Sequence, residues 1–438
     1  MISRLINRLS AATCNFMAVA LIKNELNNAG YTCLDEGEEW KIEPGGKYYL
    51  TRNDSAIFAF RVGSAHPADA GFRIIAAHSD SPCFKLKPSP EIVGEGGVIS
   101  LNVEKYGGGI MYTWFDRPLS ISGRVMLRGE DALHPVCRVI DLCRPVATIP
   151  HLAIHFNRAV NDGNPLSVQK DMKPVAGYFS PERLKYHEQR GGLVKSLVAE
   201  HLDVDPKEII GMELSLYPFE KACRTGVHGE YLQSGRIDDL SMAFCALEAL
   251  LDEDKKRDLP AHTDVMAIFD NEETGSATKQ GAHAPVLRHA MQRICNALDG
   301  KKSDSFYRAL AKSFLVSADD AHAWHPNYNE KYDPTNHPVI GGGPVVKVNA
   351  NCKYMTDAYG QAVFASLCDE AGVKCQWFVN HGDVAGGSTL GNILTAQLDV
   401  AGVDMGAAIW AMHSATETAG VSDHEDITRV FRRFYYGY

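Results

Sequence analysis

Residues 72–80 read FRIIAAHSD: an apolar run of strand length, followed at once by an imidazole, a hydroxyl and a carboxylate. The same grammar recurs. Residues 265–269 (VMAIF) run into Asp270-Asn271-Glu272-Glu273, residues 313–316 (SFLV) precede Asp319-Asp320-Ala321-His322, and residues 409–412 lead into His413. A further short run, 377–379 (WFV), has the same character. Helical stretches at 239–251 (DLSMAFCALEALL) and 388–398 (STLGNILTAQL) lie between them. Strands alternating with helices predict an α/β fold with a mainly parallel sheet flanked by helices. Such sheets bind ligands outside the carboxyl ends of their strands. The polar groups after each run are therefore expected to converge.

Residues 89–219 read differently. They are rich in Gly, Pro and β-formers, with Gly107-Gly108-Gly109 and Leu119–Leu127 (LSISGRVML), followed by a charged, loop-like stretch at 179–192. This predicts a β-rich domain, 89–219, inserted into an α/β domain made of 1–88 and 220–438. At about 150 residues per domain, the 438-residue chain has room for two or three. No repeat of 20–50 residues is visible, which excludes solenoids and propellers.

The net charge is −10 at pH 7, which argues against a nucleic-acid partner, since phosphate binding rests on clustered Lys and Arg. Eleven cysteines, scattered singly and without CxxC pairs, fit reduced thiols in the cytoplasm. The apolar run at 16–22 is far shorter than the roughly 20 residues that span a bilayer. It continues with helical periodicity to Ala29 and stops at Gly30, so a helix is expected there rather than a leader or membrane segment.

Taken singly, the polar groups have ordinary explanations. Asp238 or Asp239, after Gly235-Arg236-Ile237, could cap the helix that follows. His413 could be a buried, hydrogen-bonded histidine, and Glu272-Glu273 a solvated loop. Together, two histidines and three carboxylates form an N/O set suited to Zn²⁺, or to Co²⁺ or Mn²⁺. Five ligands are too many for one catalytic zinc, but with one bridging carboxylate they serve two metals with three each. One glutamate of the adjacent pair then remains free as a base.

The chain resembles the M18 aspartyl aminopeptidases, metallopeptidases with a paired zinc centre. The resemblance rests on AAHSDSPCFKLKP (76–88), SGRIDDL (234–240), FDNEETGS (269–276), SADDAHAWHPNY (317–328), GGGPVVKVNANCKY (341–354), AMHS (411–414) and HLAIHFNR (151–158). It implies two zinc ions per subunit, with His78 and Asp319 on one, Glu273 and His413 on the other, and Asp238 bridging. Glu272 would be the general base, and Asp80 would fix the tautomer of His78. His322, Lys347 and Tyr354 would line the substrate site, with Lys347 and His322 suiting an acidic side chain. His155, in the inserted dimerisation domain, would reach a neighbouring subunit's active site. Peptides are the implied substrates, and dimers assembled into a dodecamer the implied state.

The chain departs from the family pattern at Met17, where histidine is usual, at Gly386 (cysteine) and Asn392 (proline), and in SATE (414–417), where an arginine is missing. These departures bear on substrate preference and leave the ligands intact. A preference for neutral residues, a related dinuclear deacylase or carboxypeptidase, and a non-catalytic assembly protein of the same fold are the competing readings. The run Gly341-Gly342-Gly343-Pro344 lacks a phosphate-loop context and is expected to let the backbone pass close to the metals. His325 and His337 are expected to be structural.

Overall fold

A computed structural model describes residues 1–252, 258–299 and 304–436. Its centre is a nine-stranded sheet in the order Thr32–Cys33, Lys47–Arg52, Ala56–Arg61, Thr263–Phe269, Phe72–His78, Phe314–Ala318, Ala401–Gly406, Val345–Lys347 and Gln376–Phe378. The middle of the sheet, from Thr263–Phe269 to Ala401–Gly406, is parallel throughout. Antiparallel pairs occur to either side.

Side chains alternate across a strand with a period of two, and here both faces are apolar. From Phe72–His78, Ile75 and Ala77 enter one core, while Phe72, Ile74 and Ala76 enter the other. The first core is closed by Ile237–Leu250 and Val421–Tyr436, and the second by Val286–Asp299 and Leu390–Leu398. Ile237–Leu250 is buried along its whole length, as expected of a helix apolar on every face. Its Glu248 is matched by Arg8 at 2.9 Å, on the N-terminal helix Ile2–Ala11 that packs over it. The helix expected near residues 16–29 is Asn15–Asn28.

A second, six-stranded antiparallel sheet runs Val136–Asp141, Leu119–Leu127, Ile209–Pro218, Cys83–Val93, Val98–Tyr106, Val175–Tyr178. Its strand Cys83–Val93 contains the expected boundary at 88/89, because the chain leaves one sheet and enters the other within a few residues of His78. The stretch at 179–192 is not a loop. Pro181–Gln189 is a helix whose first turn is capped by the Ser180 side chain, with Pro at its first positions. Those local signals outweigh its polar composition.

A third sheet has no counterpart in the sequence reading. It runs Cys223–Thr225, Tyr231–Ser234, Glu417–Gly420, Ala408–Trp410, Ala321–His322. The strand leading to His413 belongs here and not to the main sheet. No cysteine among the described residues is joined in a disulfide. No helix among the described residues is long and apolar enough to cross a membrane.

Candidate metal centre

The strands Thr263–Phe269 and Phe72–His78 are paired in parallel with Phe269 beside His78. Phe314–Ala318 lies on the other side of Phe72–His78. Their carboxyl ends therefore deliver His78, Glu272-Glu273 and Asp319 to one rim. The third sheet delivers the rest. Ser234 pairs with Glu417, and His322 with Ile409, so the turns bearing Asp238 and His413 face the same place.

Two groups of ligand atoms result, each within 4.8 Å of one another: His78, Asp238, Asp239 and Asp319, and Asp238, Glu273 and His413. Asp238 belongs to both. Its Oδ1 lies 3.4 Å from His78 Nε2 and its Oδ2 lies 3.4 Å from His413 Nε2. Glu273 Oε2 is 3.3 Å from the same His413 nitrogen. Asp238 does not cap Ile237–Leu250: it lies in a non-helical break in its first turn, and its carboxylate faces the two histidines.

Asp80 organises the approach to this rim. His78 Nδ1 lies 3.0 Å from the Asp80 main-chain oxygen and 3.5 Å from its carboxylate, so the carbonyl is the closer acceptor for the ring. The Asp80 carboxylate instead accepts the N–H groups of Glu272 and Glu273, both at 3.1 Å, and the Tyr106 hydroxyl at 2.6 Å. It thus aims the adjacent glutamates into the site.

The electrostatics are those of a cation site. Burial pushes the Glu273 and Asp319 carboxyls up, with Asp238 adding to both. Burial also drives Glu272 up to about 8 against the pull of His78, with Asp319, Asp238 and Asp80 adding to the rise. Burial opposes ionisation of Asp238, yet the imidazoles of His413 and His78, each 3.4 Å away, hold it well below the usual carboxylate range. Asp238 Oδ1, Asp239 Oδ1 and Glu273 Oε1 are buried without a hydrogen-bond donor among the described residues. Buried anionic oxygens of this kind are costly unless a cation takes them. The donor set, two imidazoles with several carboxylates, fits zinc.

Asp239 is the residue the sequence left undecided. It is buried, and its Oδ2 accepts the backbone N–H of His78 at 3.0 Å. The DD dipeptide was the available signal, but spacing alone could not say that both carboxylates face the site.

The expected substrate residues divide. Lys347 is buried, with Nζ 3.5 Å from Asp319 Oδ1 and 5.7 Å from the centre of the Tyr354 ring. Its charge is thus already paired with Asp319. His322 borders solvent and packs edge-on against Phe378 at 5.9 Å. Burial beside protein on its other sides, with Lys347 near, lowers its pKa. His155 lies in an exposed loop with Leu152, Ile154 and Phe156 exposed beside it, and makes no hydrogen bond or ion pair within the chain among the described residues.

The glycine run departs from expectation. Gly341 and Gly343 donate their N–H groups to Asp423, at 2.8 and 2.9 Å, and a side chain at Gly343 would strike the Lys374 carbonyl. Packing against that helix and loop, not a metal, accounts for it. The Gly386 departure has a local reason, since the Asn380 amide fills the space a side chain would need. Arg117 reaches Thr416 Oγ1 at 2.8 Å, which brings a guanidinium to the segment whose usual arginine is missing. His337 and His325 make local contacts, to the Asp333 carbonyl and from the Asn327 N–H.

The chain matches the family described as aminopeptidase I zinc metalloprotease (M18) over residues 8–435. It is 46% identical over 420 residues to a probable M18 family aminopeptidase 2 of Clostridium novyi (strain NT), covering 96% of this chain and 95% of that one. Among solved structures it is similar to a chain of the Ape4 and Nbr1 complex, with TM-score 0.95, 36% identity, and coverage of 99% and 85%. It is also similar to the S. cerevisiae mApe1 dodecamer, with TM-score 0.85, 26% identity, and coverage of 99% and 96%. The chain belongs to the M18 family of zinc metalloprotease aminopeptidases.

Proposed function

We propose that this chain is a two-metal aminopeptidase that releases the N-terminal residue of unblocked peptides, preferring Asp and Glu. The observation that carries the reading is the shared carboxylate: Asp238 offers one oxygen to each of two ligand groups. His78 and Asp319 would hold one zinc, Glu273 and His413 the other, and Asp238 would join them. Cobalt or manganese could serve the same donors.

When bound, a zinc pair supplies Lewis acidity toward the scissile carbonyl and makes a water acidic near neutral pH. Glu272 lies beside the proposed ligands, facing His78, Asp319 and Asp238, and would serve as the base. It takes the proton of the attacking water and returns it to the leaving amine. Asp80 holds Glu272 in place through its backbone N–H. The carboxylates beside the ligands anchor the free α-ammonium, which restricts cleavage to the N-terminus. His322 and Tyr354 border the cleft as donors toward the tetrahedral oxygen.

Lys347 would provide the positive charge for an acidic side chain, with Asp319, its 3.5 Å partner here, serving instead to hold a metal. A preference for neutral residues is the second reading, favoured by the 3.5 Å contact between Lys347 and Asp319. We further infer that the chain assembles as dimers within a dodecamer, which the likeness to the mApe1 dodecamer supports, and that His155 serves a neighbour's site.

The test is release of amino acids from free-amine and N-acetylated Asp, Glu and Leu peptides, before and after chelation and zinc repletion. Zinc-dependent release from free-amine acidic peptides is expected, and Glu272→Gln is expected to lower kcat by about 10²–10⁴-fold while metal content stays unchanged. Release from acetylated peptides alone would sink the aminopeptidase reading. Faster release of Leu would move the preference to neutral residues.

A further inference from the structure

Glu417 opens the strand Glu417–Gly420 and is 1% exposed. It makes no ion pair among the described residues, and a buried carboxylate without a cation is costly unless its oxygens are otherwise satisfied. Both of its oxygens are taken by main chain. Oε1 accepts the N–H of His413 at 2.7 Å and Oε2 accepts the N–H of Asp238 at 3.1 Å. The side chains of those same two residues face each other across 3.4 Å.

The turn bearing His413 needs such a tether. Ala411 and His413 both sit in the left-handed region, at φ 56° and 69°, which residues other than glycine adopt only when the surrounding structure holds them there. Glu273, the third member of this ligand group, has its own N–H held by Asp80. Every ligand of the group is thus pinned through its backbone by a buried carboxylate.

We propose that Glu417 is a positioning residue of the metal centre. By tying the main chains of Asp238 and His413 to one carboxylate, it sets the spacing between the bridging carboxylate and the imidazole, and hence the metal affinity of the Glu273–His413 side. The inference rests on the two-metal reading of the site.

The experiment is zinc titration of the metal-stripped, full-length protein in competition with a chromogenic chelator. Wild type is expected to bind two zinc ions. Glu417→Gln keeps one acceptor oxygen but turns an amide NH₂ toward the other N–H. It is expected to retain one site and to weaken the second by about 10–100-fold. Saturating zinc should restore kcat while KM for the peptide stays unchanged. Should the glutamine variant fail to assemble, Glu417→Asp gives the same readout: it keeps the charge but is too short to reach both N–H groups, and one weakened site is again expected. Two sites of wild-type affinity in the variant, with only the Tm of the stripped protein lowered, would reduce Glu417 to a structural role and overturn the inference. A single zinc on wild type would overturn the two-metal reading, and this inference with it.

Discussion

The backbone N–H of Glu272 donates to Asp80 Oδ1 at 3.1 Å, so the aim of the proposed base is set by a residue on another strand end. Asp80→Asn keeps the shape but offers an NH₂ where Glu273 N–H and Tyr106 O–H now donate. The expected result is a fall in kcat of about 10–100-fold with KM little changed. Steady-state kinetics at saturating zinc checks it, and an equal rise in KM would place the effect in substrate binding.

Lys347→Met removes the positive charge beside Asp319 while keeping much of the buried stem. If Lys347 reads acidic side chains, the ratio of kcat/KM for Asp over Leu peptides drops by about tenfold or more. If Lys347 serves only Asp319, both substrates lose activity together and the ratio holds. Parallel assays of the two peptides decide it.

His424 lies in Val421–Tyr436, fully buried, with Nδ1 2.8 Å from the Gly420 carbonyl. Burial lowers its pKa from 6.5 to about 4. The folded value is below the ordinary one, so between those values the unfolded chain binds the extra proton. The stability is intact above about pH 6.5 and is lost as pH falls toward 4. At about pH 5 the loss is about 2 kcal/mol. Neighbouring Asp423, raised by burial to about 6, shifts the other way but is common to both chains compared. Denaturant unfolding of wild type and His424→Gln at about pH 7.5 and pH 5 should show wild type losing about 2 kcal/mol more than the variant.

His155 carries the assembly claim. His155→Ala and Glu272→Gln are each expected to be nearly inactive. Subunits of the two, dissociated and reassembled together, should regain part of the activity, because some sites then draw a sound histidine from one subunit and a sound glutamate from its neighbour. Mixtures as inactive as their parents would confine His155 to its own chain.

The runs at 72–77, 265–269 and 313–316 and the helix of 239–251 were legible in the sequence, because buried parallel strands and a buried helix need apolar runs of those lengths. The sequence also placed His78, Glu272, Glu273 and Asp319 just beyond the ends of those runs. The sequence did not show that Asp239 faces the site with Asp238, because a dipeptide carries no record of where its carboxylates point. Nor did it show the sheet that joins Ser234, Glu417, Ile409 and His322. Its strands are a few residues long and far apart in the chain, so no periodicity marks them. Glu417 was invisible for the same reason: its role lies in accepting two backbone N–H groups, which only folding brings within reach. Local pattern thus determined the elements and the residue types at their ends, whereas long-range pairing decided which carboxylates point inward and which accept main-chain N–H groups.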